Sequence, residues 1–349
     1  MIDENNDYIF IGKSMNLKFK KPSKETQMAM SKVASGEDDQ DYHTLAEEKL
    51  SNITNHQYAK LVSSGNSAIL AVMNSIDGAI LIPDEGGWKG FRQIAHFLNK
   101  DLIVVKTNDG LIELDYLDEA ISSVENARLL ASSENKSALF LTSFAGYTAE
   151  QNIKEIAQFL HENNMALVED ASGSITDSKG KLANGNYSDV IIGSTGSPKI
   201  VNVEDGGFIT ARDDSLFRKS SLLLKTSKAS NITACGIYNE LDFANSTLNK
   251  TIEACSYLKE RIDEETNFEV FHKDKRGINV IIKTDDPSSL SYRLRHEFIL
   301  DSHGMITKCP IYDRLKEKAV ALEIKNLDIS YLEKDNLDEI TDILKKYNH

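Results

Sequence analysis

Gly193-Ser194-Thr195-Gly196-Ser197-Pro198-Lys199, with Glu204-Asp205-Gly206-Gly207-Phe208-Ile209-Thr210 close behind it, decides how this chain reads. Upstream, Ala166-Leu167-Val168 runs into Glu169-Asp170-Ala171-Ser172-Gly173. The upstream stretch is an apolar run of strand length that ends on a carboxylate; the later one is a small-residue turn that ends on a lysine. A carboxylate at the end of a buried strand is costly unless it has a partner. The bland alternatives are an N-cap or loop Asp and a surface lysine, the usual place for a lysine. The spacing of Lys199 to Asp170, Ser194 and Gly206-Gly207 favours a chemical reading.

Two earlier signals fit the same reading. Ser64-Gly65-Asn66-Ser67 precedes the apolar helical stretch Ala68 to Met73. A helix N-terminus opened by a glycine turn attracts anions through its free N–H groups and its dipole, although the same residues also make an ordinary cap. Trp88, the only tryptophan, follows Ile80-Leu81-Ile82-Pro83 and Gly86-Gly87. It is either a stacking face for a flat ligand or core packing, with Glu85 a possible polar contact nearby. An amine, a carboxylate, an anion pocket and an aromatic face are what pyridoxal phosphate (PLP) requires. The lysine forms a Schiff base, the carboxylate pairs with the pyridinium nitrogen, and hydroxyls and N–H groups hold the phosphate. A buried lysine beside a cationic cofactor is expected to have a depressed pKa.

On these residues the chain resembles the fold-type I PLP enzymes, and among them the DegT/DnrJ/StrS group, whose best-known members are sugar aminotransferases. That group has a Ser five residues before its lysine, where Ser194 stands, and a Gly-Gly pair beginning seven residues after it, where Gly206-Gly207 stands. Its phosphate turn, Ser-Gly-Thr-x-Ala-Leu, is matched by Ser64-Gly65-Asn66-Ser67-Ala68-Ile69. The ordered matches run from about Ala46 to Thr210. The resemblance implies an α/β fold with a mainly parallel central sheet and a smaller C-terminal α+β domain. It implies Lys199 and Asp170 as catalytic residues. Ser64, Gly65, Asn66, Ser67, Trp88, Ser172 and Ser194 join them as cofactor contacts. It also implies a homodimer with active sites completed at the subunit interface.

Three positions depart from the group. Gly173 stands where Gln is usual, Gly196-Ser197-Pro198 where an aromatic or His is usual, and Asn66 where Thr is usual. The leading expectation is an aminotransferase acting on a small soluble metabolite, a sugar nucleotide among the candidates. PLP-dependent β-elimination, β-replacement or C–S cleavage stays open, as does a catalytically silent partner protein. Cys309 lies near where desulfurases carry a mobile nucleophile, but without their small-residue run it reads first as an ordinary thiol. His303 reads as a turn residue. The stretch Ala321 to Lys325 offers no Arg for a substrate α-carboxylate.

The chain has 349 residues, enough for two domains. We expect an arm over 1–22, a large PLP-binding domain over 23–212 and a small domain over 213–349. The net charge of −14 disfavours nonspecific binding to phosphate backbones, so no nucleic-acid partner is expected. Arg92, Arg212 or Arg276 could meet the phosphates of a small substrate. Three Cys without a CxxC pair and eight scattered His make neither a disulfide framework nor a metal site. The polar N-terminus shows no signal or membrane run, and the expected location is the cytoplasm.

Strands are expected at Ala79–Ile82, Leu102–Val105, Ala138–Leu141, Ala166–Val168, Val190–Ile192 and Phe208–Thr210, alternating with helices. Thr148 with Gln151 suggests a capping box for the helix carrying Ile153, Ile156, Ala157 and Leu160.

Overall fold

The computed structural model describes residues 14–123, 136–300 and 304–348. In chain order the strands are β1 (Met15–Leu17), β2 (Tyr58–Val62), β3 (Ile80–Pro83), β4 (Leu102–Val105), β5 (Ala138–Thr142), β6 (Phe144–Ala145), β7 (Ala149–Glu150), β8 (Ala166–Asp170), β9 (Val190–Ser194), β10 (Gly207–Ala211), β11 (Val280–Lys283), β12 (Phe298–Leu300), β13 (Ile306–Lys308) and β14 (Ala319–Leu322). Seven of them form the main sheet, ordered β2-β10-β9-β8-β5-β3-β4. Only β10 runs against the rest.

β3, β5 and β8 are buried along their whole length. Such unbroken apolar runs are what a parallel sheet needs when helices cover both of its faces. One face packs Ile80, Ile82, Phe140 and Val168 against Ala68, Ile69 and Val72 of the helix Gly65–Ser75. The other packs Leu81, Leu139 and Leu167 against Ile156 and Leu160 of the helix Ile153–Glu162.

The helix Asn231–Glu265 joins this layer to the C-terminal third. Its first half buries Ala234, Ile237, Leu241 and Leu248 in the main core, and its second half buries Cys255, Leu258 and Ile262 in a second core. That second core lies on the antiparallel sheet β11-β14-β13.

Two expectations need correcting. The stretch read as an arm is, from Met15, a strand paired in parallel with β12, and Met15, Leu17, Phe19 and Lys20 are buried. The Thr148/Gln151 capping box does not form. The helix starts at Ile153 behind Asn152, without a side-chain cap. Gln151 instead clasps the loop before Leu114–Ser122, accepting from Ile112 N–H and donating to Gly110 O. No helix among the described residues is long and apolar enough to cross a membrane.

Candidate active site

A cavity of about 230 Å3 opens beyond the C-terminal ends of the parallel strands, where open α/β sheets bind ligands. Ser64 and Asn66 reach it after β2, Trp88 after β3, Asp170 from the end of β8, Ser194 from the end of β9 and Lys199 from the turn that follows.

Asp170 is fixed from one side. Ser172 donates to its Oδ1 through the hydroxyl at 2.5 Å and the backbone N–H at 3.0 Å. The same hydroxyl accepts the N–H of Ser194 at 2.8 Å, which ties the end of β8 to the end of β9. Among the described residues nothing donates to Oδ2. Burial lifts the Asp170 carboxyl above its ordinary value, and Ser172 and Lys199 pull it back only in part.

Lys199 Nζ donates to the Tyr147 hydroxyl at 3.2 Å. It lies 5.4 Å from the Tyr147 ring centroid and 5.9 Å from that of Trp88. Burial alone would depress this amine. The Tyr147 hydroxyl and the Asp170 carboxylate outweigh it, so the protein's own groups hold Lys199 above the ordinary lysine value.

Ser64 caps the helix Gly65–Ser75, its hydroxyl accepting from Ser67 N–H at 3.1 Å. The Ser67 hydroxyl rests on those of Ser63 and Ser64 and does not line the cavity, so Ser67 serves the cap. A Cβ on Gly65 would stand 2.7 Å from Ser194 Cβ, and one on Gly207 would stand 2.8 Å from Gly65 N. Both glycines are what let the strand ends approach the helix start. Trp88 donates its indole N–H to Asn66 Oδ1 at 3.0 Å. Ser197 lines the cavity with its hydroxyl buried and, among the described residues, unpartnered.

This donor set fits PLP. It offers an amine, a carboxylate oxygen with no protein donor, an orphaned hydroxyl near a helix N-terminus, and an aromatic face. Glu85 is not part of it, since it accepts the backbone N–H of Lys316. None of Arg92, Arg212 and Arg276 lines the cavity. Arg212 donates to Gly185 O, and Arg276 is paired with Glu150 and Asp177. Cys309 is fully buried with Phe271, Ile281 and Leu315, and burial raises its thiol pKa. His303 lies outside the described residues.

The structure adds residues that sequence reading missed. Tyr147, in the turn between β6 and β7, has φ 65. The Arg314 guanidinium lies 4.8 Å and Lys325 Nζ 5.1 Å from its ring centroid. Both cations share Glu323, at 2.8 Å and 3.2 Å. An Arg is thus present near the C-terminal strands, brought in by the loop before β14. Gly173 has a packing cause: a Cβ there would stand 2.8 Å from Ile278 Cδ1 and 3.6 Å from the Tyr147 ring. A side chain at this place would require the Ile278 Cδ1 methyl to shift.

The sheet order, the lysine and carboxylate at strand ends and the anion pocket define the class as fold-type I, PLP-dependent enzymes. The DegT/DnrJ/EryC1/StrS aminotransferase family matches residues 24–235, and the chain belongs to that family. It is a PLP-dependent transferase. The MJ1341 family C-terminal domain matches residues 245–345. Among curated proteins none matches the chain. Helicobacter pylori PseC, an aminotransferase involved in pseudoaminic acid biosynthesis, superposes with TM-score 0.75, at 13% identity over 96% of this chain and 99% of that one. A DegT DnrJ EryC1 StrS aminotransferase from Brucella abortus gives TM-score 0.69, at 14% identity over 93% and 95%. A serine palmitoyltransferase from S. paucimobilis with bound PLP-myriocin gives 0.73, at 10% identity over 95% and 87%. At these identities the likeness concerns the fold.

Proposed function

We propose that this transferase is an aminotransferase acting on a small soluble amino or keto metabolite. Lys199 would be the covalent attachment point of PLP and Asp170 the partner of its ring nitrogen. The observation that carries the reading is the one cavity that gathers Asp170, the Ser194–Lys199 turn and the Ser64–Asn66 turn from three separate strand ends.

When bound, PLP supplies an electron sink for negative charge at a substrate carbon. Lys199 would take and return a proton at Nζ once that nitrogen is free. Asp170, oriented by Ser172, would keep a proton on the ring nitrogen. The Gly65 and Asn66 N–H groups with the Ser64, Ser194 and Ser197 hydroxyls would hold the phosphate at the helix N-terminus. Trp88 would cover a ring face and exclude water from it.

A sugar nucleotide is one candidate acceptor, on the strength of family membership and of the PseC-like fold. C–S cleavage through Cys309 is not favoured, because a fully buried thiol with a raised pKa yields little thiolate. The division into a large portion at 23–212 and a small one at 213–349, the two-fold dimer with shared sites and a cytoplasmic location belong to the same proposal.

The test begins with the near-visible absorbance of the purified protein, borohydride reduction and peptide mapping. The pyridoxyl label is expected on Lys199. An amine screen follows, and a keto product formed without ammonia or sulfide supports transamination. Ammonia or sulfide release would move the reaction to elimination or C–S cleavage.

A further inference from the structure

Tyr147 sits where a tyrosine is out of place. Its φ of 65 lies in the left-handed region, which bulky side chains rarely occupy. Its backbone is held there from outside, since its carbonyl accepts two N–H groups, from Ile278 at 2.8 Å and Asn279 at 3.0 Å. Unfavourable backbone conformations that the surroundings enforce cluster at functional sites. The ring also keeps unusual company for a core residue. It lines the cavity, and three cations from three separate segments stand within 5.4 Å of its centroid: Lys199, Arg314 and Lys325. A ring face attracts cations, and Arg314 and Lys325 are themselves anchored to Glu323. Ile278, which meets Tyr147 through its backbone N–H, also lays its Cδ1 methyl over Gly173 beside the ring. Ring, backbone and neighbours together fix where the hydroxyl points, and it meets Lys199 Nζ.

We infer that Tyr147 is a positioning residue for Lys199, its hydroxyl aiming the lysine Nζ at the reacting centre while Arg314 and Lys325 hold its ring. The inference rests on Lys199 being the attachment residue. The charged groups around the pair are Asp170 from β8, Asp313 and Arg314 from the loop before β14, and Glu323 and Lys325 from its end.

The experiment compares the wild-type holoprotein with Tyr147→Phe, which keeps the ring and removes the hydroxyl. Each is reduced with borohydride and mapped, and the near-visible band of each is titrated with pH. Tyr147→Phe should retain the label on Lys199. The midpoint of its band should fall by about one pH unit, because the protonated lysine nitrogen loses an acceptor. With a substrate from the amine screen, kcat should fall about tenfold or more while KM stays close to wild type. Tyr147→Asn tolerates a positive φ better, removes the hydroxyl independently and should move the midpoint in the same direction. A label on Lys199 with an unmoved midpoint in whichever variant folds would overturn the role of Tyr147 and leave Lys199 in place. A label on another lysine in the wild type would overturn both.

Discussion

Arg314 grips Glu323 with a two-pronged contact, Nε and Nη2 each 2.8 Å from a carboxylate oxygen, deep behind the Tyr147 ring. Lys325 completes the cluster. Burial works against the Glu323 charge, but the two cations outweigh it and hold its pKa well below the carboxylate range. Glu323→Gln would leave two buried cations without a counter-charge. We expect a loss of about 3–5 kcal/mol in stability, read from urea or thermal unfolding. Combining it with Lys325→Met should recover part of that loss. Equal melts for wild type and Glu323→Gln would mean that water reaches the cluster.

Asp170→Asn keeps the shape of the side chain but cannot hold a proton on a ring nitrogen. Turnover should fall on the order of a hundredfold, the usual scale for removing one electrostatic partner of a reacting centre. The melting temperature should hold or rise, since burial already disfavours the charged carboxyl. Near-normal turnover at full PLP content would place the partner of the nitrogen elsewhere.

Gly65→Ala should empty the site. Within a helix, alanine is normally favoured over glycine by about 1 kcal/mol. Here the added methyl meets Ser194 Cβ at 2.7 Å, so the helix start and the end of β9 must move apart. Bound PLP per chain, measured after alkaline release, should drop severalfold at constant helix content by circular dichroism. Full occupancy would show that the phosphate lies away from this turn.

Three buried lysines give the protein an alkaline stability slope. Burial lowers Lys20 and Lys259 to about 8 and Lys325 to about 7. Below those values both folded and unfolded chains carry the proton, and the full burial cost is present. As pH rises towards the unfolded value near 10.4 the folded chain sheds the proton first, so the cost shrinks and stability rises. Among the described residues Lys20 Nζ has no hydrogen-bond partner. Lys20→Met should therefore raise stability at pH 7 by on the order of 3 kcal/mol and flatten the increase in Tm between pH 7 and 9. A slope identical to wild type would contradict this account.

What the sequence revealed and what it hid have physical causes. Asp170, Ser194 and Lys199 were legible because each stands at a strand end or in the short turn after one, so chain spacing translates directly into geometry. Ser64, Gly65 and Asn66 were legible for the same reason at a helix start. Ser67 reads either way, because a hydroxyl three residues into a cap serves the cap or a ligand equally well; in the structure it meets the hydroxyls of Ser63 and Ser64. Tyr147, Arg314, Glu323 and Lys325 come together only when β5 to β7 meet the loops around β14, and no local period encodes that meeting. β2 escaped notice because Tyr58-Ala59-Lys60-Leu61-Val62 is an edge strand with an exposed Lys60, paired on one side to β10. The Thr148/Gln151 motif misled because Gln151 spends its amide on another loop.

The pairing of Met15–Leu17 with Phe298–Leu300 has a consequence for biosynthesis. The first strand leaves the ribosome about 280 residues before its neighbour exists, an interval of about 15–60 s at ordinary translation speed. Throughout that interval Met15 and Leu17, both buried in the finished molecule, lack the strand they pair with. A chain in synthesis thus exposes this apolar strand until Phe298–Leu300 is made, and chaperone demand should concentrate on that interval.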